Sequence, residues 1–126
     1  MSVRLSAAEF ERIVAEVLDG LPEDIAHMLE NVDVVVEWWP SPEQLAQVGL
    51  GPGELLLGLY EGVPLTERGA YYGLVLPDKI TIFQGPLQRV ALNEADLRER
   101  IRRTVLHELA HHFGISDERL RELDAY

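Results

Sequence analysis

The chain has 126 residues and carries 22 Asp plus Glu against 11 Lys plus Arg, a formal charge of −11. Such a surface repels phosphate backbones and argues against nucleic acid as a partner. The absence of cysteine removes disulfides, thiolate metal sites and cysteine nucleophiles together, and no apolar run nears the roughly 18 residues of a membrane helix.

The length suits one domain, residues 1–126, able to bury a core without staples. The opening residues bear an acid at Glu9 and no long apolar stretch, unlike a secretory leader. Together with the missing cysteines this reads as a cytoplasmic chain. The acidic excess itself reads as solvated surface.

Ser6 and Glu9 form a capping box that opens a helix with Phe10, Ile13, Val14, Val17 and Leu18 on one face. Gly20 and Pro22 end it and start a second helix over 22–30, with Ile25, Met28 and Leu29 apolar. Residues 32–39 are rich in β-formers and read as a strand stopped by Pro40, with Trp38 and Trp39 as core and edge packing. A small helix follows at 42–48, then a turn-rich break at 49–53 and a second strand at 55–60. Glu61, Gly62, Val63 and Pro64 begin a loop through Arg68 towards Tyr71 and Tyr72. Residues 79–84 read as a third strand, terminated by Gly85 and Pro86.

Asn93 caps the strongest helix, 94–113, which carries the i,i+4 pairs Glu94–Arg98, Asp96–Arg100 and Glu99–Arg103. Gly114 is its natural C′ residue, and Ser116 caps a last short helix through Leu120 and Leu123. Helices, then strands, then helices make an α+β domain with a small sheet, mostly antiparallel or mixed.

Within the long helix stands His107-Glu108-Leu109-Ala110-His111, or H-E-x-x-H. Positions four apart differ by about 40° around a helix and sit one turn apart, so both imidazoles reach one metal ion. Glu108 lies beside them, placed to take a proton from a metal-bound water. Val105, Leu106, Leu109 and Phe113 form the side that packs into the core. Catalytic zinc takes three protein ligands plus water. Gly114 can adopt a left-handed conformation that folds the chain back and lets Asp117 supply the third. An acid at Asp117 is also what a helix N-terminus favours on its own, and the two roles are compatible. His112 reads as a helix-surface or supporting residue, His27 as plain surface.

The string from His107 to Leu120, H-E-x-x-H-x-x-G-x-x-D at its start, resembles the minimal metalloprotease-like family of bacterial zincins. Residues 55–65 and 79–87 are similar to that family too, so the resemblance spans about residues 50 to 123. It implies a zincin-like α+β fold with the small sheet packed on helices that include the H-E-x-x-H helix. It also implies His107, His111 and Asp117 as Zn²⁺ ligands and Glu108 as base. Larger relatives differ. Metzincins place a third His where Asp117 stands and add a Met-turn, yet the only methionines are Met1 and Met28. Gluzincins use a Glu on a later helix, and only Glu118 and Glu122 follow His111.

The expected activity is zinc-dependent hydrolysis of peptide bonds in a peptide or protein substrate. The strand 79–84 would lie at the cleft edge and take an extended peptide by β-augmentation. Tyr71, Tyr72, Arg68 and Tyr126 are candidates to stabilise the tetrahedral intermediate. The alternative is a non-catalytic, zinc-stabilised protein-binding or regulatory domain, and a third reading is a protease fold that needs an activator. Oligomeric state is not legible.

Overall fold

The computed structural model describes residues 3–51, 53–62 and 78–125. Arg68, Tyr71, Tyr72 and Tyr126, singled out above, lie outside them.

Ser6 and Glu9 close their capping box at 3.1 Å in both directions, opening α1 (Ala7–Asp19). Its Phe10 and Ile13 are completely buried. The second helix, α2 (Glu23–Met28), tightens into a single 3₁₀ turn, Leu29–Asn31, before β1 (Val32–Glu37). A second capping box, Ser41 with Gln44, opens α3 (Pro42–Gln47). The strands β2 (Gly58–Glu61) and β3 (Asp78–Phe83) follow, then α4 (Gln84–Val90), α5 (Glu94–Phe113) and α6 (Asp117–Glu122).

The strand order is β1-β3-β2, with β1 parallel and β2 antiparallel to β3. The sheet is therefore mixed, and β3 is its central strand. The expectation that 79–84 lies at an edge is corrected: both sides of β3 are occupied by its neighbours, leaving nothing for a peptide. Cross-strand partners share a face, so Val34, Ile80 and Tyr60 align, as do Val36, Ile82 and Gly58. That face meets α5, whose Leu97, Ile101, Val105, Leu106 and Leu109 are completely buried with Ile80 and Ile82. α1 packs beside α5 in the same core.

Three expectations fail for identifiable reasons. β1 stops at Glu37, where its partner β3 turns directly into a helix, so Trp38 and Trp39 leave the sheet half-exposed. The Trp38 carbonyl accepts from the Gly85 N–H at 2.9 Å, and a Cβ on Gly85 would fall 2.5 Å from the Trp39 ring. Gly85 and Pro86 do not simply end β3; they form the first turn of α4. Pro is tolerated there because its missing N–H has no helical partner to lose. Phe113 sits 45% exposed at the end of α5 rather than in the core.

Along α5, Arg100 pairs with Asp96 at 2.8 Å and Arg103 with Glu99 at 3.2 Å. Arg98 reaches across to Glu16 of α1 at 2.7 Å rather than down its own helix to Glu94. No helix among the described residues is long and apolar enough to cross a membrane.

Candidate active site

The last two turns of α5 carry His107, Glu108, His111 and His112. Gly114 ends the helix at φ 69°, ψ 35°, with its N–H on the Ala110 carbonyl at 3.1 Å. This left-handed residue reverses the chain within three positions. Ser116 then caps α6, its Oγ accepting from the Arg119 N–H at 3.1 Å, and Asp117 becomes the first residue of that helix. Buried Leu120 seats α6 on the core. The reversal gives His107, Ala110, His111, Ile115, Asp117 and Leu120 one shared cleft of about 170 Å³.

Charged anchors hold the middle of α6 and the chain just after it. Arg119 grips Asp24 of α2 through two nitrogens, at 2.9 and 3.2 Å, and holds its carboxyl below the usual carboxylate range. Arg102 of α5 donates to the carbonyls of Leu123 at 2.6 Å and Asp124 at 3.2 Å. The chain after α6 is thereby folded back, and Ala125 is buried with its carbonyl against Nε2 of His107.

Glu108 faces a different neighbour. Its Oε1 accepts the backbone N–H of Tyr60 in β2 at 2.8 Å. The Tyr60 hydroxyl donates to Asp78 at 2.6 Å, and its ring stacks on His112 with centroids 4.0 Å apart and planes 14° from parallel. Phe113 meets the same ring edge-on at 5.9 Å. One residue pair further along, a Cβ on Gly58 would stand 2.5 Å from the Thr104 methyl carbon, so helix and strand touch without an intervening side chain.

Two imidazoles and a carboxylate are a donor set of the kind zinc takes in sites with three protein ligands. In kind, and in the cleft they share, the residues fit. They are not drawn together: no three His, Asp or Glu side chains among the described residues stand close enough to hold one ion. Coordination through Nε2 of His107 requires that ring to give up the Ala125 carbonyl.

Sequence reasoning did not find Tyr60, Gly58, Thr104 or Ala125. Thr104, Glu108 and His112 at spacing four share a helix face, and that was the available signal for the first group. A backbone carbonyl leaves no signal at all. His27 is surface as expected, paired with Glu30 at 3.0 Å.

A family model described as zincin-like metallopeptidase matches residues 29–126. No curated protein matches the chain. Among solved structures, a conserved hypothetical protein from Thermo thermophilus is similar at 29% identity and a TM-score of 0.56, over 86% of this chain and 94% of that one.

Proposed function

The chain belongs to the zincin-like metallopeptidase family, and from that premise we propose that it is a zinc-dependent hydrolase of peptide bonds. The observation that carries this reading is the division of labour on α5. His107 and His111 line a cleft with Asp117, while the carboxylate of Glu108, next along the helix, is held by a strand.

His107, His111 and Asp117 would hold the ion. When bound, zinc acts as a Lewis acid towards a carbonyl and acidifies water. Glu108 serves as the base. With Oε1 on the Tyr60 N–H, its second oxygen takes the proton of the attacking water and later returns it to the leaving amine. Fixing one oxygen removes the rotational freedom that a surface glutamate would have to lose during the reaction.

The test is Glu108→Gln, which keeps size and hydrogen-bonding capacity but cannot accept the proton. Zinc content by elemental analysis should be unchanged, and hydrolysis of a mixed peptide library should fall by about 10²-fold or more. Hydrolysis that survives the change overturns the mechanism.

The contact between His107 and the Ala125 carbonyl favours one second reading, a zinc-stabilised binding domain without turnover. In that case the ion contributes folding energy. Melting the protein with and without chelator, alongside the peptide library, separates the two: a large loss of stability with no turnover in either state supports the binding domain.

A further inference from the structure

The contacts of Thr104, Glu108 and His112 fall on one strand, and each differs in kind. Thr104 meets Gly58 by the bare approach of methyl to backbone. Glu108 takes the Tyr60 N–H at 2.8 Å. His112 covers the Tyr60 ring at 4.0 Å. Successive positions four apart drift by only about 40°, so the three form one stripe down the helix. The metal-facing pair, His107 and His111, forms the next stripe, about 100° away.

From this we infer that Tyr60, His112 and Gly58 are positioning residues that fix the Glu108 carboxylate on β2. The inference rests on the hydrolase reading for its purpose but not for its geometry. A strand amide donates one hydrogen bond. That of Tyr60 goes to Glu108 and not to β3. The bond therefore forms only if β2 sits at the right height and distance along α5. Gly58 sets the distance, since any side chain there would push the strand off Thr104. The His112 ring sets the height, since Tyr60 is clamped between it and the hydroxyl bond to Asp78. The base is thus oriented by a backbone group in a paired strand. Such a group moves far less than a side chain.

Native-state hydrogen exchange at the Tyr60 amide tests this without reference to metal or turnover. The reference is the Phe83 amide, which bonds the Leu57 carbonyl at 3.0 Å in the same sheet. In the wild type the Tyr60 amide is protected. In Glu108→Ala it exchanges at least about tenfold faster while Phe83 is unchanged. His112→Ala accelerates Tyr60 in the same way, and His112→Phe, which restores a flat ring, reverses it. Gly58→Ala has the same effect, and Thr104→Ser in that background recovers most of the protection by removing the methyl while keeping the hydroxyl. Kinetically, His112→Ala lowers kcat by about tenfold with KM unchanged, and His112→Phe returns it.

An unprotected Tyr60 amide in the wild type, or one indifferent to Glu108→Ala, overturns the inference. So does equal behaviour of His112→Ala and His112→Phe. If the exchange pattern holds but the protein hydrolyses nothing, the positioning stands and the hydrolase reading is what fails.

Discussion

The two stripes of α5 differ in how finished they are. On the side of Thr104, Glu108 and His112, every member already has its partner on β2, through a 2.8 Å hydrogen bond, a stacked ring and a methyl in contact with backbone. On the side of His107 and His111, the facing element is the six-residue helix α6, turned in by one left-handed glycine and anchored by Arg119 and Arg102. The first stripe is set by a sheet, whose strands hold one another in register. The second depends on a short helix whose footing is a turn, one buried leucine and a few charges near solvent. Orientation of the Glu108 carboxylate is thus part of the fold, whereas His107, His111 and Asp117 could converge on the proposed ion only if α6 and the chain around Ala125 moved. Binding an ion on that side would be linked to the docking of α6.

The largest expected effect comes from removing one imidazole. If His107, His111 and Asp117 hold the ion as proposed, His111→Ala should weaken zinc binding by more than about 100-fold, because the site would lose a primary donor and not merely its support. The Tyr60 amide should keep its protection, since no member of the finished stripe has changed. Equilibrium dialysis with elemental analysis and hydrogen exchange read the two sides separately. Loss of Tyr60 protection in this variant would mean that the stripes are not independent.

A smaller effect is expected at the hinge. Gly114 has φ 69°, a conformation that costs an ordinary residue about 1 kcal/mol. Nothing lies near its absent Cβ, so the penalty of Gly114→Ala is conformational and not steric. Stability should fall by about 1 kcal/mol and zinc affinity by up to about tenfold. Gly114→Asn should recover part of both, because Asn enters the left-handed region more readily. Equal effects of Ala and Asn would show that the turn geometry does not govern the site.

The site was legible where its signals are local. Asn93, Gly114 and Ser116 each act on the next turn of chain, and the structure has each of them where its chemistry requires. His107, His111 and Asp117 share a cleft because helical spacing and one glycine suffice to bring them there. What stayed hidden is non-local. Nothing in the composition of residues 32–37 or 78–83 tells that those strands pair in parallel with the second at the centre. Tyr60 is 48 positions from Glu108, and its contribution is an amide that every residue but proline owns. Gly85 and Pro86 were misleading because the same two residues suit a strand end and a helix first turn. Trp38 and Trp39 look like core by type, but their position past the end of the sheet decides their exposure.

The least of the expected effects concerns acid and the anchor of the unfinished side. Glu99 sits where Arg102 bonds it at 2.6 Å, with Arg103 at 3.2 Å, and this holds its carboxyl below the ordinary value of 4.5. Arg102, in turn held protonated by Glu99 and by the nearby Asp124, is the group that fixes the Leu123 and Asp124 carbonyls. A carboxyl depressed in the folded chain contributes its stability fully above the unfolded value. That contribution is lost as pH falls through the lower folded value. Both side chains are partly exposed, so after solvent screening the contribution is under about 1 kcal/mol. Glu99→Gln should therefore melt slightly below the wild type at neutral pH, and the gap should close as pH falls below 4.5. A gap that persists undiminished in acid would mean that Glu99 acts by packing and not by charge. The tail that presents Ala125 to His107 would then owe its place to Leu120 and Ala125 in the core.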